Sequence, residues 1–307
     1  MSTSGAAGPI VVPLDGSELA ERALPLASDL ARRAGTGLEL VHVHVPIAAD
    51  PIHVEGLPVL DEHMHPLRRE HERAYLEKVR GRLDPGLSAR TTLLDGPIAA
   101  ALAAHARATG AWLIALTTHG RGGVERAWLG SVADELARAS PVPLLLVRPD
   151  PAGRATVQRI VVPLDGSDMS EAILRHAGPL ARLAGAEIVL LEVVRPIGAA
   201  VWLPEGAIMA STVPEEDLLR QQEQGASAYL QRTAAGLAAS GVRARASVEV
   251  ATSVASAVLR AAEAEKADLI AMATHGRSGL ARLALGSVAD KVVRGSHVPV
   301  LLVRPPS

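Results

Sequence analysis

Apolar and polar positions follow two rhythms along the 307-residue chain. Short runs of Val, Ile, Leu and Ala bounded by turn residues, at 10–14, 38–45, 89–94, 111–117 and 143–147, predict buried strands. Between the first two runs, Ala20, Ala23, Leu24, Ala27, Leu30, Ala31 and Ala34 recur at helical spacing, and Ser17 stands where it would cap that helix. Ile173, Leu174, Ala177, Leu180, Ala181 and Ala184 repeat the stripe later in the chain. Further helices are expected at 66–83, 97–109 and 131–139. Strand and helix alternating in this way predict a parallel sheet covered on both faces.

The pattern is written twice. IVVPLDGS occurs at 10–17 and again at 160–167, an offset of 150 that still holds between Val45-Pro46-Ile47 and Arg195-Pro196-Ile197. From the third strand onward the offset is 156, so six extra residues of the second half fall between 197 and about 243. LGSVAD recurs at 129–134 and 285–290, and LLVRP closes both halves at 145–149 and 301–305. The small and polar stretch DPAGRATVQ between them reads as a linker. The expected organisation is a first domain over 1–149, a linker over 150–157 and a second domain over 158–307, each an α/β, Rossmann-like, doubly wound domain with a five-stranded parallel sheet.

Composition narrows the chemistry. Lys and Arg total 31 against 33 Asp and Glu, a net charge of −2, so a nucleic-acid partner is not expected. Aromatics are only 2% of the chain, too few for a base-stacking platform. Cysteine is absent, which removes disulfides, thiolate metal sites and thiol nucleophiles. The N-terminus shows no leader pattern and no apolar run reaches membrane-spanning length, so the expectation is a soluble, cytoplasmic protein without a membrane partner. The Pro-rich segments 46–66 and 196–217 read as surface loops or lids. Glu62-His63-Met64-His65, with His71 beyond, reads as a solvated loop rather than a metal site.

In open α/β sheets, ligands sit at the carboxyl ends of strands where neighbouring connections diverge. Asp15-Gly16-Ser17 follows the first strand, and Thr118-His119-Gly120-Arg121-Gly122-Gly123 follows the fourth. If those strands are adjacent, the two segments wall one crevice. Gly120 and Gly130-Ser131 are separated by nine residues, a spacing that Gly276 and Gly286-Ser287 repeat. Two readings fit. Glycine permits close approach of backbone amides to a phosphate, and the helix starting at Gly130 or Gly286 presents free N–H groups. Alternatively, Gly120 closes a turn while Ser131-x-x-Asp134 and Ser287-x-x-Asp290 are capping boxes. Repetition of the whole set opposite Asp15 and Asp165 favours the phosphate cradle.

The order VPLDGS, THGRGG, LGS, VPLLLVRP resembles the universal stress protein family over both halves nearly end to end, in the form of a tandem two-domain member. The resemblance implies an adenine-nucleotide-binding stress-response regulator with ATP or AMP as ligand, Mg2+ accompanying it. By position it implies a first site of Pro13, Asp15, Val43, Thr117, His119, Gly120, Arg121, Gly130, Ser131 and Val132. The second site comprises Pro163, Asp165, Val193, Ala273, His275, Gly276, Arg277, Gly286, Ser287 and Val288. The first glycine of the family's phosphate motif falls on Thr117 and Ala273, and the β-branched Thr crowds a phosphate more than Ala, so tighter binding is expected in the second half. No catalytic residue is assigned. Slow ATP hydrolysis and a scaffold that binds no nucleotide are the rival readings, the latter with a regulatory protein as partner. The apolar terminal strands would pair the two halves as an intramolecular pseudo-dimer, with further homodimerisation open.

Overall fold

The computed structural model describes residues 8–45, 52–54, 57–59, 64–118, 129–148, 156–196, 200–202, 208–210, 214–275 and 285–305. The chain divides into two compact units, Met1–Ala155 and Thr156–Ser307.

In the first unit the order is β1 (Ile10–Pro13), α1 (Glu18–Glu21), α2 (Leu24–Ala34), β2 (Leu38–His44), β3 (Ile52–Val54), β4 (Leu57–Val59), α3 (Met64–Arg80), β5 (Ala89–Asp95), α4 (Ile98–Ala108), β6 (Leu113–Thr117), α5 (Ser131–Ala139) and β7 (Leu144–Val147). The second unit repeats it as β8 (Arg159–Leu164), α6 (Asp168–Glu171), α7 (Leu174–Ala184), β9 (Glu187–Val194), β10 (Ala200–Trp202), β11 (Ile208–Ala210), α8 (Glu215–Ala239), β12 (Arg243–Val250), α9 (Val254–Ala264), β13 (Leu269–Ala273), α10 (Ser287–Gly295) and β14 (Val300–Val303).

Within the first unit the parallel order is β5-β2-β1-β6-β7, and within the second it is β12-β9-β8-β13-β14. β1 therefore lies between β2 and β6, and β8 between β9 and β13, so the connections diverge at β1 and β8. The register is the same in both copies: Ile10 pairs with Leu38, and Ile160 with Ile188. The central strands are buried on both faces, with Ile10–Val12, Leu40, Val41, Ile114 and Ala115 excluded from solvent in the first unit and Ile160–Val162, Leu190, Ile270 and Ala271 in the second. That explains why they read as continuous apolar runs rather than as alternations.

Two local expectations change. The helix after each first strand is split, because i→i+3 bonds tighten the chain at Arg22 N–H to Leu19 O (3.1 Å) and Ile173 N–H to Ser170 O (3.4 Å). The loop segments each contain an antiparallel pair, β3 with β4 and β10 with β11. Proline had pointed to loop there, yet in a two-stranded ribbon every strand is an edge. Pro58 opposite His53 therefore costs no central ladder bond. The extra residues of the second half are taken up largely by helix, since α8 has 25 residues where α3 has 17.

Candidate functional site

The loops after β1 and β8 are built alike. Asp15 Oδ1 accepts from the Ser17 amide (2.9 Å) and hydroxyl (2.6 Å), and Asp165 Oδ1 accepts from the Ser167 amide (3.1 Å) and hydroxyl (2.5 Å). Each serine oxygen also accepts from the amide three residues on, capping α1 and α6. The turn needs a left-handed residue, supplied by Gly16 (φ 85°) and Gly166 (φ 75°). The result is a half-buried carboxylate fixed at the carboxyl end of the central strand, with Pro13 and Pro163 two residues before it.

Across from it, the backbone pins a helix start to the neighbouring strand. The buried Thr117 ends β6 and the buried Ala273 ends β13. The next residue, Thr118 or Thr274, donates its N–H to Val147 O (3.1 Å) or Val303 O (2.9 Å) and extends the ladder. Its carbonyl accepts from Gly130 N–H (2.9 Å) or Gly286 N–H (3.0 Å). A Cβ at Gly130 would stand 3.2 Å from Thr118 O, and one at Gly286 only 2.6 Å from Thr274 O. With φ of −59° and −58°, these glycines are required by the approaching carbonyl rather than by unusual dihedrals.

Gly130 and Gly286 are the N-cap residues, and neither helix has a side-chain cap. The capping-box alternative is therefore not formed: Ser131 and Ser287 are the first helical residues and are exposed, while Asp134 pairs with Arg138 and Asp290 with Arg294. Amides of the first turn, including those of Val132 and Val288, point with the helix dipole toward the strand ends, an arrangement suited to an anion. His275 is half-buried, its Nδ1 3.0 Å from the Thr274 hydroxyl. His119, Gly120, Arg121, Gly276 and Arg277 lie outside the described residues.

Val43 and Val193 occupy the same position near the ends of β2 and β9, but their surroundings differ. In the second unit a cavity of about 770 Å³ opens between β9 and α8, lined by Val193 together with Glu192, Val194, Gln222, Ala226 and Tyr229, among others, and by Gly166 of the Asp165 turn. The volume lies within the range of small-ligand pockets. In the first unit β2 carries His42 and His44, and α3 sends Glu72 between them: His44 Nδ1 is 2.7 Å from Glu72 Oε2 and His42 Nε2 is 3.5 Å from Glu72 Oε1. Their exposures are 8%, 2% and 8%, so a carboxylate and two imidazoles occupy the interior there. This network was not foreseen. The alternation VHVHV was its one sequence signal, since it puts both histidines on one face of a strand.

One pair of tyrosines ties the units together as copies. Tyr75 donates to Glu21 Oε1 (3.1 Å) and Tyr229 to Glu171 Oε1 (2.7 Å). Burial raises both phenol pKa values, and the adjacent glutamates add to the rise. Among the described residues no group of three or more His, Asp or Glu could hold a metal ion, and His63 lies outside them. No helix among the described residues is long and apolar enough to cross a membrane.

The sequence profile of the Universal stress protein family matches residues 7–148 and again residues 156–304. The chain belongs to the universal stress protein family. It is a tandem member: a universal stress protein of Mycolicibacterium smegmatis is 26% identical over 303 residues, covering 96% of this chain and 97% of that protein. A universal stress protein of Methanocaldococcus jannaschii is 36% identical over 156 residues, 50% of this chain and 86% of its own length. In fold, the crystal structure of a universal stress protein from Archaeoglobus fulgidus is similar over 98% of this chain and 97% of its own, at a TM-score of 0.65 and 18% identity.

Proposed function

We propose that this universal stress protein binds an adenine nucleotide, ATP or AMP, with Mg2+ accompanying the triphosphate, and acts as a regulator rather than a catalyst. The observation that carries the reading is the arrangement in the second unit. The polar cavity over the end of β9 and the uncapped N-terminus of α10 after β13 flank the same strand, β8, and its Asp165 turn. Two strand spacings of about 4.8 Å separate cavity from helix start, a span of about 10 Å that suits a nucleoside in the cavity with its phosphates at Ser287. Asp165, Val193, Gly286 and Ser287 are the positions that the family resemblance assigns to nucleotide contact.

The use of the ionisable groups supports binding without turnover. Asp165 is committed to its serine and His275 to the Thr274 hydroxyl, which are structural duties rather than those of an acid/base pair. The test is to denature freshly purified protein and chromatograph what is released. Adenine nucleotide in the eluate supports the reading; eluate free of it, from protein that also shows no ATP binding by calorimetry, favours the scaffold alternative.

A further inference from the structure

The two halves repeat one fold, but the space beside the second strand is not used the same way in both. The equivalent positions are fixed by structure. Tyr75 bonds Glu21 and Tyr229 bonds Glu171, with Glu21 and Glu171 at the same place after the first strand of each unit, so Tyr75 corresponds to Tyr229. The next residues, Leu76 and Leu230, are both fully buried, which confirms the helical phase. Counting back three and seven residues, Glu72 corresponds to Ala226 and Arg68 to Gln222. Along the strands, the common register makes Glu192 the counterpart of His42 and Val194 that of His44.

The residues that form the buried network of the first half are thus the residues that line the cavity of the second. Glu72 reaches in from α3, is held by His44 and His42, and receives Arg68 Nε at 3.2 Å. Ala226 ends at its Cβ, so at this position α8 delivers no carboxylate; Gln222 and Tyr229 of α8 and Glu192 of β9 line the volume instead. Filling the first half this way is stable only because the carboxylate has partners, since an unpaired buried charge would be costly. It is a built plug rather than a collapsed loop.

We infer that the tandem chain has a single nucleotide-binding half: the second unit takes the nucleoside in the cavity beside Ala226, and the first unit fills the equivalent place with its own Glu72. This rests on the nucleotide reading above and adds which half binds and what decides it. A nucleoside entering the first half would have to displace Glu72 from two imidazoles and a guanidinium. In the second, Ala226 presents nothing beyond its Cβ to displace.

The experiment uses the full chain. It is photolabelled with 8-azido-ATP, with and without excess ATP, digested, and its labelled peptides are mapped; ATP is titrated calorimetrically into the parent and into Ala226→Glu, Ala226→Ser and Glu72→Gln. The inference expects ATP-competed label in peptides of residues 156–307 alone and about one ATP per chain. Affinity should fall about tenfold or more in Ala226→Glu, by less in Ala226→Ser, and stay within about twofold in Glu72→Gln, tenfold being about 1.4 kcal/mol. If Ala226→Glu fails to fold, the labelling of the parent decides alone. Competed label in both halves, or in the first only, overturns the inference while leaving the nucleotide reading intact. A folded Ala226→Glu that binds like the parent overturns it too. Absence of both label and heat refutes the nucleotide reading and this inference with it.

Discussion

Replacing Gly286 by Ala should damage the second unit far more than Gly130→Ala damages the first, although the two glycines occupy the same motif. An added Cβ at Gly286 lies 2.6 Å from the Thr274 carbonyl oxygen, against 3.2 Å from Thr118 O at Gly130. The obstacle is backbone, and that backbone is held: Thr274 N–H is bonded to Val303 O, and its carbonyl accepts from the amide of the very residue whose Cα would carry the new methyl. Restoring even the tight spacing of Gly130 requires a shift of about 0.6 Å, which strains the 3.0 Å Gly286-to-Thr274 bond. Overpacking of this kind costs about 1–3 kcal/mol. Loss of the bond adds about 1 kcal/mol. Against this stands a gain of about 0.4–1 kcal/mol, because alanine restricts the unfolded chain and suits φ near −58°. The net expectation is about 1–3 kcal/mol of destabilisation for Gly286→Ala and near zero for Gly130→Ala. Hydrogen exchange by mass spectrometry reads the units separately: peptides over α10 and β14 should exchange about tenfold faster per 1.4 kcal/mol lost, with α5 and β7 nearly unchanged in the Gly130 variant. Equal effects, or a larger one at Gly130, would refute the steric argument. The same reasoning makes Gly286→Val unsuitable as a probe of ligand binding, because it disturbs the helix start whether or not a phosphate sits there.

Ser287→Ala is the cleaner probe, since its exposed hydroxyl holds no cap; it should weaken ATP binding by calorimetry while leaving the melting temperature of the unliganded chain within about 1 °C. Ser17→Ala and Ser167→Ala each remove a helix cap and the hydroxyl donor to Asp15 or Asp165, and each should cost about 1 kcal/mol, a fall of about 3 °C in thermal melts. Burial, with the charge of Arg175 adding to it, lowers the pKa of His176, so the folded second unit favours the neutral imidazole. Its contribution is therefore present above the unfolded value of about 6.5 and is lost as pH falls below that value; His176→Gln should flatten the decline in melting temperature between about pH 7 and 5.

The buried strands and the repetition of one α/β fold were legible because both rest on local pattern. Buried parallel strands read as apolar runs, and the repeated VPLDGS marked where each copy starts. The Ser17 cap was legible for the same reason, since donor and acceptor are three residues apart. The plug was not, because His44 and Glu72 are 28 residues apart and meet only through the phase of α3 against the sheet. Sequence offsets alone would even mispair it: the offset of 150 sets Glu72 against Gln222. The Tyr75–Glu21 and Tyr229–Glu171 bonds place it against Ala226, because part of the insertion in α8 falls before the tyrosine. The capping-box alternative fails for a local reason. Serine and aspartate at that spacing suit a cap, but the carbonyl of Thr118 or Thr274 seizes the glycine amide and starts the helix one residue earlier.

Calorimetric titration of ATP into the full chain, with and without Mg2+, tests the central claim most directly. Saturable binding to about one site per chain, weakened in Ser287→Ala, is the predicted result; no binding up to millimolar ATP or AMP would contradict it.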